Sequence, residues 1–202
     1  DRKPGAIERD VQPRRRLAAI GVGNDQVRAF GALDAGRGLV AAALDAVAYD
    51  PCWAALLVLD RPVPGVDCLH GGAEQPLAFA SAMASRPGRT PEPAWVVHAG
   101  AGWSRRHLEA TPAQVLPVLV DAFCAASGLP AGAIGPAQAH RWRHALCTAP
   151  LARPALHDAA ADLAVAGDGL LGGRVESAWL SGVAAAASLV RHWHLEPAAA
   201  GP

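Results

Sequence analysis

The sequence predicts an α+β fold: a mostly antiparallel sheet with a flanking helix, then a C-terminal strand–turn–helix. Three observations carry this. Apolar runs at 52–59, 77–84 and 94–99 are separated by Pro- and Gly-rich turns, the spacing of an antiparallel meander. A segment opening at Thr111 has a helix-start signature and keeps apolar residues at helical spacing. A last apolar strand, at 162–167, passes through a glycine-rich turn into a long helical pattern.

Composition bounds the function. The chain has 202 residues, 51% hydrophobic and 18% charged, which is enough to bury a core and too apolar for disorder. Lys+Arg and Asp+Glu are 18 each, so no bulk basic charge serves nucleic-acid binding. Cys52, Cys68, Cys124 and Cys147 show no CxxC spacing and read as buried reduced thiols of a cytoplasmic protein. The longest apolar run, 178–190, is too short to span a bilayer.

The elements follow in chain order. Residues 1–16 are polar and end in Arg14-Arg15-Arg16, the pattern of a solvated terminus. Gly21-Val22-Gly23 starts like a dinucleotide loop, but Gln26 stands where the third glycine is needed. Residues 38–47 read as a helix stopped by Tyr49-Asp50-Pro51. Residues 52–59, a continuous apolar run, read as a strand buried on both faces, 62–72 as a loop, and 77–84 and 94–99 as further strands. Thr111-Pro112-Ala113-Gln114 combines an N-cap, a first-turn proline and a glutamine three residues on, and Gly128 ends that helix. Residues 137–146 alternate, with His140, Trp142 and His144 on one face and Arg141, Arg143 and Ala145 on the other, as in a strand. The strand reading sets aside a metal pair from His140 and His144, and no third ligand is evident. His192 and His194 read as a solvated helix end.

The segment that carries chemistry runs from Leu163 to Gly182. A strand ends in Gly167-Asp168; a turn holding Gly169, Gly172 and Gly173 follows; a helix begins near Arg174. Amides at a helix start offer partial positive charge to an electron-rich group. Glycines admit close approach of a ligand to the backbone. Asp168 is suited to accept hydrogen bonds from ligand hydroxyls, or to cap the turn; the flanking pattern favours the ligand. Arg174 is equally suited to a phosphate and to solvent. The Glu176 side chain belongs in the first helical turn, where acids are favoured, leaving its backbone to face a ligand. Small residues at Ala178, Gly182, Ala185 and Ala186 suit close packing on a sheet.

This segment resembles the C-terminal flavin-binding stretch of amine-oxidase-type flavoproteins, and among them the renalase-like group of bacterial FAD-dependent oxidoreductases. Further blocks resemble the same group in the same order: Tyr49 to Ala54, Ser85 to Arg89, Trp95 to Ala99, Trp103-Ser104, His107 to Glu109 and His140 to Ala145. The resemblance implies FAD as cofactor and hydride transfer from an amine or a reduced nicotinamide-type small molecule to flavin, with reoxidation by oxygen. It implies that Gly167, Asp168, Gly173, Arg174, Val175 and Glu176 form the cofactor-binding set. Gly167-Asp168 would lie by the ribityl and phosphate part, and the amides near Val175 and Glu176 by the pyrimidine edge. The strands before the motif would be the substrate-side sheet, with Trp142 as its candidate aromatic, and the C-terminal strand–turn–helix would belong to a Rossmann-type layer. The flavin performs the redox step, so no catalytic side chain is assigned.

The family's N-terminal GxGxxG unit has no counterpart in these residues. The expectation is therefore a C-terminal portion of a longer flavoprotein, arranged as a poorly matching 1–44, a substrate-side sheet domain at 45–150 and an FAD-binding part at 151–202. Two alternatives stand beside it: a non-enzymatic remnant or interaction module, and a subunit completed by a partner chain that supplies the dinucleotide-binding domain. No metal, nucleic acid or membrane is expected. An exposed apolar patch is expected around Leu163, Val165 and Val183.

Overall fold

The computed structural model describes residues 43–89, 92–160 and 163–193. The readings made for 1–16, for the Gly21 loop, for most of the 38–47 helix and for His194 lie outside these residues. The described chain is α+β and divides into two compact units. One is 47–150; the other joins the described parts of 1–46 and 151–202.

The first unit is a five-stranded antiparallel sheet in the order β2-β3-β4-β1-β5. Its strands are β1 (Ala48–Leu59), β2 (Cys68–His70), β3 (Phe79–Ala82), β4 (Ala94–His98) and β5 (Ile134–Ala149). The expected meander runs through β1, β3 and β4 in turn; instead β2, β3 and β4 form the meander, and β1 is inserted between β4 and β5. Local spacing does not encode that long-range choice. The helix read over 38–47 ends at Leu44, ahead of its expected limit, and Tyr49-Asp50-Pro51 lies inside β1. The short strand β2 lies within the segment read as a loop.

Helices α1 (Ala101–Arg106) and α2 (Pro112–Ser127) complete this unit. The first helix was not anticipated, since six residues are too few to show a period. The second starts and ends as the sequence predicts. Thr111 and Gln114 form a capping box, proline sits in the first turn, and Gly128 closes the helix at φ 75°. Its Val115, Leu119 and Phe123 pack with Trp53, Leu57, Trp95 and Val97 in a single core. Trp95 and Phe123 meet at 5.2 Å between ring centroids. Trp53 is tied twice to the helical layer: its backbone N–H donates to Ser104 Oγ at 3.0 Å, and its indole N–H donates to the His107 carbonyl at 2.9 Å. Arg141 lies over the Trp53 ring, 5.6 Å from its centroid, and donates to the Leu108 carbonyl. Arg143 grips Glu109 in a bidentate pair at 2.8 Å per bond. The arginines of the alternating β5 pattern thus clamp the link between α1 and α2.

The second unit holds β6 (Leu156–Asp158), β7 (Leu163–Val165), the short helix α3 (Asp168–Leu171) and α4 (Val175–His192). Here β7 pairs antiparallel with β6, so the last strand has a neighbour within its own chain. Ala164, Ala185 and Leu189 make the small core.

Candidate functional site

Two surfaces carry the residues singled out by sequence, one in each unit. In the second unit, β7 runs out at Val165 and the chain turns at Gly167, whose φ of 154° suits glycine. The Gly167 N–H donates to Ser181 Oγ at 3.0 Å, and Ser181 is fully buried. This bond fastens the turn to the middle of α4. Asp168 opens α3 and its carbonyl accepts from the Gly172 N–H at 2.7 Å. Gly172, at φ 128°, redirects the chain, and a Cβ there would meet only Ser177 Oγ, at 4.0 Å. The turn therefore leaves room beside its backbone.

Helix α4 begins at Val175 with Arg174 as N-cap, and no side chain caps it. The first amides of a helix have no partner within it and so suit an outside acceptor. Gly173, Arg174, Val175 and Glu176 are all exposed. The structure thus gathers Gly167, Asp168, Gly173, Arg174, Val175 and Glu176 into one strand–turn–helix. Ser181 belongs with them and was missed, because a serine within an apolar helix carries no signal until the turn is seen above it.

Two expectations for this unit need correction. Gly182 and Ala186 are exposed, and the packed stripe is Ser181, Ala185 and Leu189. Val165 is 2% exposed because β6 and α4 cover β7. Leu163 is half-buried; Val183 is exposed as expected, and the apolar patch around it lies on α4 with Val175, Trp179 and Leu180.

In the first unit the side chains of each strand alternate between two faces. One face is the core under the helices. The other has no layer of this unit upon it. A row crosses it from β2 to β5: His70 pairs with Phe79, Phe79 with His98, His98 with Ala54, and Ala54 with His140. Trp142, two residues along β5 and 51% exposed, stands on this face, with its ring 4.4 Å from that of His140. Phe79 lies between His70 at 5.3 Å and His98 at 6.3 Å. Leu56 and Val58 are exposed beside them, so β1 is packed on one face and not on both as its continuous apolar run predicts. At one end Arg86 donates to Ser81 Oγ at 3.2 Å. Loss of water around the ring holds the His98 imidazole below the usual histidine range, and the Arg86 charge pushes the same way. Cys52, also on this face, has its thiol pushed up by burial, so it stays protonated.

Trp142 was read as substrate-side, whereas His70, Phe79, His98 and Ala54 were not associated with it. Their juxtaposition is a matter of strand order and register, which sequence spacing does not contain. Trp53 and Trp95 lie in the core, 1% and 2% exposed. Cys68, read with the buried thiols, is exposed on β2. Among the described residues no group of three or more His, Cys, Asp or Glu side chains is placed to hold a metal ion. Among them, too, no helix is long and apolar enough to cross a membrane. No protein-family model matches the chain.

Proposed function

We propose that the chain is part of an FAD-dependent oxidoreductase of the renalase-like, amine-oxidase class. The observation that carries this is the Gly167–Glu176 turn. It has two glycines at φ 154° and 128°, an uncapped helix start at Val175 and an aspartate at the strand end. Such a set fits an electron-rich, hydroxyl-bearing cofactor: amides for the anionic edge, backbone free of Cβ for close approach, and a carboxylate for hydroxyls. Gly167, Asp168, Gly173 and Arg174 would hold the ribityl and phosphate region, and the amides of Val175 and Glu176 would face the ring. When bound, the flavin supplies the hydride acceptor. The protein's share is to position it and to stabilise negative charge through the α4 dipole.

The open sheet face of the first unit supports a substrate side. Trp142, braced by His140, and Phe79, between His70 and His98, offer aromatic surface to an amine or reduced nicotinamide-type molecule. The exposed apolar face of α4 favours a companion reading. In it, a partner chain supplies the dinucleotide-binding domain, and Val175, Trp179, Leu180 and Val183 lie at the contact.

The test is the visible spectrum of the purified chain, with and without added FAD, followed by denaturation to release bound cofactor. Uptake of flavin, reduced by substitution of Arg174 or of Gly172→Val, is the expected result. A chain that takes up no FAD, alone or with an added dinucleotide-binding chain, overturns the reading and leaves an interaction module.

A further inference from the structure

The second unit contains a cavity of about 690 Å³, within the range of small-molecule sites. Ala43, Leu151 and Leu156 give it apolar wall; Arg153, His157 and Asp158 give it polar wall. The sequence assigns Arg153, His157 and Asp158 no role, and none of the lining residues belongs to the turn described above.

The rim is built, not frayed. Leu151 N–H donates to the Gly169 carbonyl and Arg153 N–H to the Leu170 carbonyl, both at 3.0 Å. Between them Ala152 is held at φ 54°, in the left-handed region that a residue with a Cβ seldom adopts. Two hydrogen bonds thus pin a strained strap, and the residues on both sides of the strained one line the cavity. Strain of this kind persists only where its surroundings over-determine it.

Two polar groups on the wall are uncommitted. The Arg153 guanidinium makes no ion pair or hydrogen bond with the described residues, in contrast to Arg105, Arg106, Arg141 and Arg143, each of which has an acidic or carbonyl partner. His157 Nε2 is buried without a hydrogen-bond partner, its ring packed edge-on against His192 at 5.0 Å. An unmet buried imidazole nitrogen is costly. A half-turn of the ring about χ2 moves that nitrogen to the other edge of the ring. Asp158, on the same wall, accepts from the Ala160 N–H at 3.0 Å and so serves its own turn.

We propose that this cavity binds a small organic oxyanion, a carboxylate or phosphate on an apolar body. Arg153 binds the oxyanion, His157 donates to it, and the alanine and leucine walls take the body. A guanidinium presents paired N–H donors that match either oxyanion, so the shared chemistry is the anion. The proposal does not depend on flavin binding.

The test is titration of the full chain with benzoate, phenyl phosphate and neutral benzamide. It is read by calorimetry and by the side-chain nitrogen resonances of His157. Saturable binding of one or both anions, a shift of the His157 Nε2 signal and no binding of benzamide are expected; whichever anion binds more tightly identifies the source chemistry. Arg153→Gln should weaken binding about tenfold or more, and His157→Phe should weaken it while leaving the melting transition in place. Raised salt should weaken it further. Binding that is indifferent to both substitutions, equal binding of benzamide, or no binding with the His157 resonances unmoved each overturns the proposal.

Discussion

The two faces of the five-stranded sheet are made from the same strands and differ in nearly everything else. Under the helices stand Trp53, Ala55, Leu57, Trp95 and Val97, each 2% exposed or less. On the other face, one residue along, stand His98, His140, Trp142, Leu56 and Val58, all exposed. A strand reverses its side chains at every residue, so one backbone serves a packed interior and a chemically mixed surface. The first face gives the unit its stability. The second, relieved of packing, is free to carry histidines and an exposed tryptophan.

The comparison is broken or sharpened by substitution. The largest contrast is between aromatic residues of the two faces. Phe123→Ala, beneath the sheet, should cost about 3–5 kcal/mol, whereas Trp142→Ala, on the open face, should fall within about 0.5 kcal/mol. Urea unfolding of both variants checks this, and a large loss for Trp142→Ala would mean that the open face is covered by something that stabilises the protein. Next is Ser104→Ala. It leaves the Trp53 N–H buried without an acceptor and should cost about 1–3 kcal/mol. An equal melting temperature for this variant and the parent would show that the hydroxyl is dispensable.

The smallest effect is in pH, and it belongs to the open face. The folded His98 pKa lies below the unfolded one, so between those values the unfolded chain binds a proton that the folded chain does not. Stability should therefore fall as pH drops through the usual histidine range, with the loss complete below the folded value. His98→Gln should remove that part of the slope. The same slope in parent and variant would place the acid sensitivity elsewhere.

Particular residues show how far the sequence could be read. Helix α2 was legible from end to end, because its capping box, first-turn proline and closing glycine are local devices. The strand–turn–helix from Leu163 to His192 was legible from a short apolar run, a cluster of glycines and a helical pattern, which are also local. The Pro51 reading failed because a proline is compatible with a strand whose local register is irregular, and the β1–β5 pairing shifts there, between Asp50 and Cys52. Gly182 and Ala186 were assigned to the packed face because smallness was read as closeness; the helix turned that face to solvent.

By itself the sequence determined the α+β class, the limits of α2, the β7–turn–α4 unit and the two-faced alternation of β5. These follow from periods and caps that act within a few residues. The tertiary structure alone decided that β1 lies between β4 and β5, that His70, Phe79, His98, Ala54 and His140 form one row, and that Ser181 reaches back to Gly167. It alone decided that Arg153 and His157 share a cavity with Ala43. Each of these joins residues distant along the chain. Their meeting depends on which pairings bury the most apolar surface while satisfying backbone hydrogen bonds, a property of the whole fold and of no local window.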